Sequence, residues 1–239
     1  MYQERNSSVA PGAVVWTQRW DTDAGADIRV LPDGCMDLIW TERGLLVAGP
    51  DTAAHLVPVR AGDAYAGVRF APGTGPSVLG IAAWELRDRR VPLSELWPQR
   101  RERELAERIW GAADRTAELE AVAAGAVASA RHGRIRQDRV PEAVLGGVWR
   151  RLTVREIADE LALSERQLRR RCLDAFGYGP KTLDRVLRLA RALDQARAGL
   201  PFAQVASLAG YADQSHLARE VRALAGISLG RLLAGDSAG

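Results

Sequence analysis

A pair of capping signals constrains this chain more than any other feature. Thr153 is followed three residues later by Glu156, and Ser164 three residues later by Gln167. In such a pair the hydroxyl accepts a backbone N–H from the first helical turn, while the longer side chain reaches back to the cap. Each pair therefore marks the start of a helix. The two starts lie eleven residues apart, room for one short helix and the tight turn Ala162-Leu163. That is helix-turn-helix spacing. Between the starts, Val154, Ile157, Ala158 and Leu161 recur at helical period and predict a buried stripe. Ala158 is small where two helices must approach closely.

The pattern returns further on. Phe176-Gly177-Tyr178-Gly179-Pro180 ends the helix that Ser164 begins, and a long helix is predicted from Thr182 to Ala198. Gly199-Leu200-Pro201 stops it. Phe202 to Ala209 is a second short helix, Gly210-Tyr211 a second turn, and Asp213 a second cap. Two candidate reading helices result, near 164–173 and 213–222. The first buries Leu168 and Cys172 and turns Arg166, Gln167, Arg169, Arg170 and Arg171 to other faces. The second buries Leu217 and Val221 and presents Gln214, Ser215, Ala218 and Arg219. Arginine forks onto guanine or clamps a phosphate, and glutamine matches the edge of adenine. The plainer alternative is a solvated, arginine-rich face, which the caps around it argue against. His216 has no second ligand near it in sequence and reads as a phosphate or packing contact, not a metal ligand. The first helix is dense in arginine and suits phosphates; the second carries less charge and suits bases.

Charge placement points the same way. The net charge is only +3, but from Val140 onward there are 15 basic against 11 acidic residues, and before it 18 against 19. The positive excess lies where a phosphate partner would want it. Only one of the basic residues is a lysine, Lys181. Two cysteines, Cys35 and Cys172, make neither a disulfide framework nor a metal cluster. No apolar leader precedes the first strand, and the longest weakly apolar run, Ala121 to Ala130, is too short to span a bilayer. A cytoplasmic protein with no membrane partner is expected.

The first half reads as β structure. Residues 1–13 look like a loose lead-in. Strands are expected at Val14–Trp20, Ile28–Leu31, Cys35–Trp40, Leu45–Ala48, His55–Val59 and Ala64–Phe70, with Pro32-Asp33-Gly34 and other Gly, Pro and Asp turns between them. A short helix follows Ser77, and Val91–Pro98 is read as a loop and a helical turn. The expected class is α+β: an N-terminal small β-sandwich or cupin-like partial barrel, a helical connector, and an all-α C-terminal domain. The expected divisions are 1–98, 99–138 and 139–239.

Nothing in the first half points to an enzyme. One histidine, His55, precedes position 132, and no G-x-S-x-G, P-loop or G-x-G-x-x-G occurs. No metal or cofactor is expected. Cys35 reads as a small buried residue beside Met36 and Leu38, the alternative being a nucleophile or sensor. Asp37, facing a cavity or a turn donor, is read as structural. Trp16, Trp20 and Trp40 fill the core or line a small-molecule pocket. With Cys35 and Asp37 they make up the candidate ligand pocket.

In the connector, Arg100 to Arg108 is dense in charge. Leu119, Val122, Ala123, Ala126 and Val127 recur at helical spacing. This stripe needs a partner: the β module, the C-terminal domain or a second subunit. Arg131 to Arg136 is read as the interdomain linker.

Residues from about 140 to 233 resemble the DNA-binding domain of AraC/XylS-type transcriptional regulators. The resemblance is carried by Ile157-Ala158, Leu168-Arg169-Arg170, Phe176-Gly177 with Gly179-Pro180, Arg188-Leu189-Ala190-Arg191-Ala192, Val205-Ala206, Gly210-Tyr211, and Asp213 to Leu217 with Arg219. It implies that a central helix holds two reading helices for successive major grooves. By position in the motif, Arg166, Arg169 and Arg170 correspond to readers of the first site, and Gln214, Ser215 and Arg219 to readers of the second. Leu217, Cys172 and Val221 stand where the family usually has phenylalanine, and Gly226-Ile227-Ser228-Leu229 lacks the usual closing proline. Pro32 to Leu38 and Val68 to Gly73 resemble the N-terminal domain of one AraC-type subgroup.

The expected partners are double-stranded DNA, a small-molecule effector of unknown identity, a second copy of the chain, and RNA polymerase if the protein activates. Two alternatives stand beside this reading. One is a regulator without ligand, controlled by abundance or a protein partner. The other, remote, is an alkylation-response protein with Cys35 as methyl acceptor.

Overall fold

The structure is a computed structural model that describes residues 1–21, 27–131 and 139–236, without the side chains of 126–131 and 236. The expected linker at 132–136 lies outside the described residues. The N-terminal part is built on a six-stranded antiparallel sheet. Its strands are β1 (Tyr2–Asn6), β2 (Val14–Arg19), β4 (Met36–Thr41), β5 (Gly44–Ala48), β7 (Ala64–Phe70) and β8 (Arg90–Pro92), in the order β1-β2-β7-β4-β5-β8. A second, two-stranded sheet pairs β3 (Ile28–Val30) with β6 (His55–Val57).

Strand alternation divides the large sheet into two chemically different faces. Met36, Leu38 and Trp40 of β4, Leu45 and Val47 of β5, and Ala66, Val68 and Phe70 of β7 point one way and are buried. Helices α1 (Gly75–Leu79), α2 (Gln99–Gly111) and α3 (Arg115–Arg131) cover this face, contributing Leu79, Leu105, Ile109, Leu119 and Ala123 to the same core. The intervening residues, among them Trp16, Asp37, Ile39, Tyr65 and Arg69, point to the other face, where the small sheet stands opposite.

Two expectations change here, and a third, left open, is narrowed. Tyr2–Asn6 is a strand, not a lead-in; all five residues are exposed, so no burial pattern marks it. It is held by pairing with β2 and by Arg5, which donates to Glu120 of α3 at 2.7 and 3.3 Å. Arg90–Pro92, overlapping the start of the expected loop, pairs with β5 as an edge strand, the place where a sheet tolerates proline. Helix α3 lies against β7 and β2 of its own chain, and Leu119, Val122 and Ala123 of its apolar stripe pack in the same core. Helices α2 and α3 thus contribute to the β module's core.

The C-terminal part runs α4 (Val140–Trp149), α5 (Val154–Glu160), α6 (Glu165–Phe176), α7 (Pro180–Arg197), α8 (Phe202–Ala209), α9 (Gln214–Ala225) and α10 (Leu229–Asp236). It has two cores. One gathers α4, α5, α6 and the start of α7 around Leu168, Cys172 and Phe176. The other gathers the end of α7 with α8, α9 and α10 around Val205, Leu217 and Val221. Helix α7 belongs to both. The small side chains Cys172, Leu217 and Val221 are almost wholly buried. Gly226, in left-handed conformation at φ +74°, closes α9 where a proline was missing.

Candidate nucleic-acid interface and effector cavity

Both capping boxes form. Thr153 accepts the Glu156 N–H while Glu156 accepts from Thr153, and Ser164 and Gln167 do the same at 3.2 and 2.8 Å. Asp213 caps α9 by accepting the His216 N–H at 2.6 Å. Between α5 and α6 the chain turns through Ala162 at φ +52°; between α8 and α9 it turns through Gly210 at φ +86°. Each reading helix is therefore fixed at its N-terminus, the end whose free N–H groups suit a phosphate.

On α6, Arg166, Arg169 and Arg170 are exposed, while Leu168 and Cys172 are buried behind them. On α9, Gln214, Ser215 and Arg219 are exposed, with Leu217 and Val221 behind. Two expected readers have other work in this structure. The Oε1 of Gln167 is taken up by its cap. The His216 ring stands edge-on to Tyr211 at 5.4 Å, and its Nδ1 accepts the Ala212 N–H at 3.3 Å. His216 thus makes a packing contact, one of the two roles expected for it.

The arginines of α7 serve the scaffold. Arg185 grips Glu220 of α9 at 2.7 and 3.3 Å, and Arg188 spans Asp184 and the Gly210 carbonyl. Arg151, between α4 and α5, donates to the Leu208 carbonyl of the second unit. These bonds tie the two halves to one frame. Sequence reasoning did not assign those to Glu220, Gly210 and Leu208, because these partners lie 22 to 57 residues away.

The N-terminal module holds a half-open cavity of about 270 Å³ between its two sheets. Of the five residues expected to form a pocket, Trp16, Trp20, Cys35 and Asp37 line it. Trp40 does not: three positions from Asp37, it falls on the opposite face of β4 and is buried in the core. Register places Trp16 opposite Gly67, and Asp37 opposite Arg69. The Trp16 indole lies flat over Gly67, where a Cβ would come within 2.4 Å of the ring. Its Nε1 donates to Asp37 Oδ1 at 2.8 Å. Arg69, not among the expected residues, places its Nε 3.2 Å from Asp33 and 3.5 Å from Asp37. Arg90 holds Asp51 through both nitrogens, at 2.9 and 2.5 Å. A strand-parity count from Asp37 does not find Arg69, since that requires the β4–β7 register.

Burial pushes the Asp37 carboxyl up to about 6 against the pull of the Arg69 guanidinium. Burial disfavours the charge on Arg69, but Asp37 and Asp33 outweigh it and hold the guanidinium charged. Burial also pushes the Cys35 thiol up, and Asp33 and Asp37 act in the same direction. The thiolate that nucleophilic chemistry requires is thereby disfavoured. His55 is shifted down by burial and by Arg90. Among the described residues no group of three or more His, Cys, Asp and Glu is placed to hold a metal ion, and no helix is long and apolar enough to cross a membrane.

The cavity wall is also an interdomain surface. In β3, Ile28 and Val30 line the cavity, while Arg29 between them points out and donates to the Ala225 carbonyl at the end of α9, at 2.7 Å. Ala54 N–H donates to the neighbouring Leu224 carbonyl at 2.6 Å. Leu31 both lines the cavity and packs on the second reader's core. Asp33 and Cys35 line it too, and Gly34 between them faces Tyr178 and Leu183 of the first unit.

A cavity-bearing β module docked on two capped reading helices that share one scaffold helix defines a DNA-binding transcription regulator. Residues 157–235 match the model of a helix-turn-helix domain family, and residues 13–92 that of a domain of unknown function, DUF6597. The C-terminal domain is thus of AraC type and the N-terminal domain of the DUF6597 family. No individual curated protein sequence matches the chain. Among solved structures, the chain is similar to ToxT of Vibrio cholerae O395 bound to (E)-4-(8-methylnaphthalen-1-yl)but-3-enoic acid: 13% identity, TM-score 0.48, covering 97% of this chain and 98% of that one. It is similar in the same degree to wild-type ToxT of V. cholerae strain SCE256 bound to an unsaturated fatty acid, with 13% identity, TM-score 0.48 and 96% of each chain covered.

Proposed function

We propose that this regulator reads two successive major grooves, with Arg166, Arg169 and Arg170 at the first and Gln214, Ser215 and Arg219 at the second, and that a small molecule in the N-terminal cavity governs the reading. One observation carries the reading of two grooves. Both reading helices keep their polar faces in solvent while burying the opposite face on α7. At 18 residues α7 is ~27 Å long, which with its flanks approaches the ~34 Å repeat of B-DNA. Control from the cavity rests on the wall that it shares with both units of the reader.

Selection of bound fragments from a random DNA pool, followed by titration, tests the assignment. Arg219→Ala is expected to relax preference at one position of the second half-site, with a loss of ~1–3 kcal/mol for that base. Arg170→Ala is expected to relax preference at one position of the first half-site by a similar amount. An Arg219→Ala protein with unaltered sequence preference overturns the base-reading role.

A further inference from the structure

The effector cavity has a charge balance that selects its occupant. Its two arginines are not equivalent. Arg90 is spent on Asp51 in a two-pronged pair that leaves no net charge. Arg69 stands between two carboxylates, Asp33 and Asp37, so one guanidinium serves two acids. His55 is biased toward its neutral form and adds no compensating cation. The Trp16 hydrogen bond and the Arg69 ion pair both come to Asp37 Oδ1; among the described residues no hydrogen bond reaches Oδ2. The wall therefore carries one negative charge in excess, on a carboxylate with an oxygen to spare.

The remaining walls are aromatic and aliphatic. Trp20 and Tyr65 meet edge to face at 5.6 Å, and Tyr2 and Trp16 lie 6.3 Å apart. Aromatic faces beside a carboxylate attract a cation with an apolar body and do not attract an anion. An acidic ligand would meet this excess of negative charge, with Arg90 already held by Asp51 and Arg69 already balanced by two carboxylates. The cavity, of about 270 Å³, suits a compact organic molecule.

We propose that the cavity is a binding site for a small organic cation, an amine or quaternary ammonium with a compact apolar body, its charge set against Asp37 and Asp33 and its body between the aromatic walls. This rests on the effector reading above and names the class of effector.

The test is calorimetric titration of the full chain with three probes of matched size: 2-phenylethylamine, 2-phenylethanol and 3-phenylpropionate. The amine is expected to bind at least tenfold more tightly than the alcohol, and the carboxylate more weakly than either. Asp37→Asn is expected to reduce amine affinity at least tenfold and to leave the alcohol unchanged. Asp33→Asn, at a more exposed position, gives a smaller loss in the same direction and serves if the first variant does not fold. A carboxylate that binds as well as the amine overturns the charge argument while leaving an effector site in place. Absence of binding by all three overturns the proposed class. The effector reading fails separately, if a ligand that fills the cavity leaves affinity for the selected DNA unchanged.

Discussion

Arg29→Ala probes the joint between sensor and reader most directly. Arg29 is half-buried in β3, and its guanidinium donates to the Ala225 carbonyl at the C-terminus of α9. A hydrogen bond from a charged donor nets ~1.5–3 kcal/mol, and a cation at a helix C-terminus adds ~0.3–1 kcal/mol. Ordering a long side chain that water still reaches offsets part of this. The expected loss is roughly 1–2 kcal/mol of docking, a factor of about 5–30 in the open-to-docked ratio. Amide hydrogen exchange on the full chain reads it. Ala54, whose N–H bonds across to Leu224, and the last turn of α9 should lose protection by about that factor. The amides of β4 and β7 should keep theirs. Arg29→Lys should recover part of the loss, since it keeps the charge. Unchanged exchange at Ala54 in the alanine variant would show that β3 does not clamp the reader. An equal loss everywhere would show a folding defect instead.

Two further outcomes follow from the β module. The Arg5 hydrogen bonds hold the Glu120 carboxyl down at about 2, so its contribution is complete above the ordinary glutamate range near 4.5 and is lost as pH falls toward 2. With Arg5 half exposed, the pair is worth on the order of 1 kcal/mol, or ~2–4 °C in a chain of this size. Glu120→Gln should lower the melting temperature by that much at pH 7 and converge on the wild type near pH 2; a constant gap across the range would refute it. Gly67→Ala places a Cβ 2.4 Å from the Trp16 ring, forcing the indole off the sheet and off Asp37. A cost of ~1–3 kcal/mol is expected, with an altered near-ultraviolet circular dichroism spectrum; an unchanged melt and spectrum would mean that the ring moves freely.

Much of the C-terminal domain was legible in the sequence because its determinants are local. A cap and its partner three residues on form within one turn of helix, whatever surrounds them. Glycines 177, 210 and 226 close helices in the left-handed conformation by the same local logic. The N-terminal strand was not legible, because Tyr2–Asn6 buries nothing and draws its stability from β2 and Glu120. The cavity was legible in part. Trp16 and Asp37 could be named as candidates, yet only strand parity, applied from a known face, removes Trp40.

By itself the sequence determined the two capped helix pairs, their arginine-rich and glutamine-bearing faces, and the division into a β half and a helical half. These depend on residues within a few positions of one another, where backbone geometry fixes the contacts. Tertiary structure alone decided which side of the sheet became core and which became cavity, that Arg69 faces Asp37, and that β3 lies against the end of α9. Those contacts join residues 36, 32 and 196 positions apart: Arg69 with Asp33, Arg69 with Asp37, and Arg29 with Ala225. All three depend on how the strands and domains pack, and no local propensity encodes that packing.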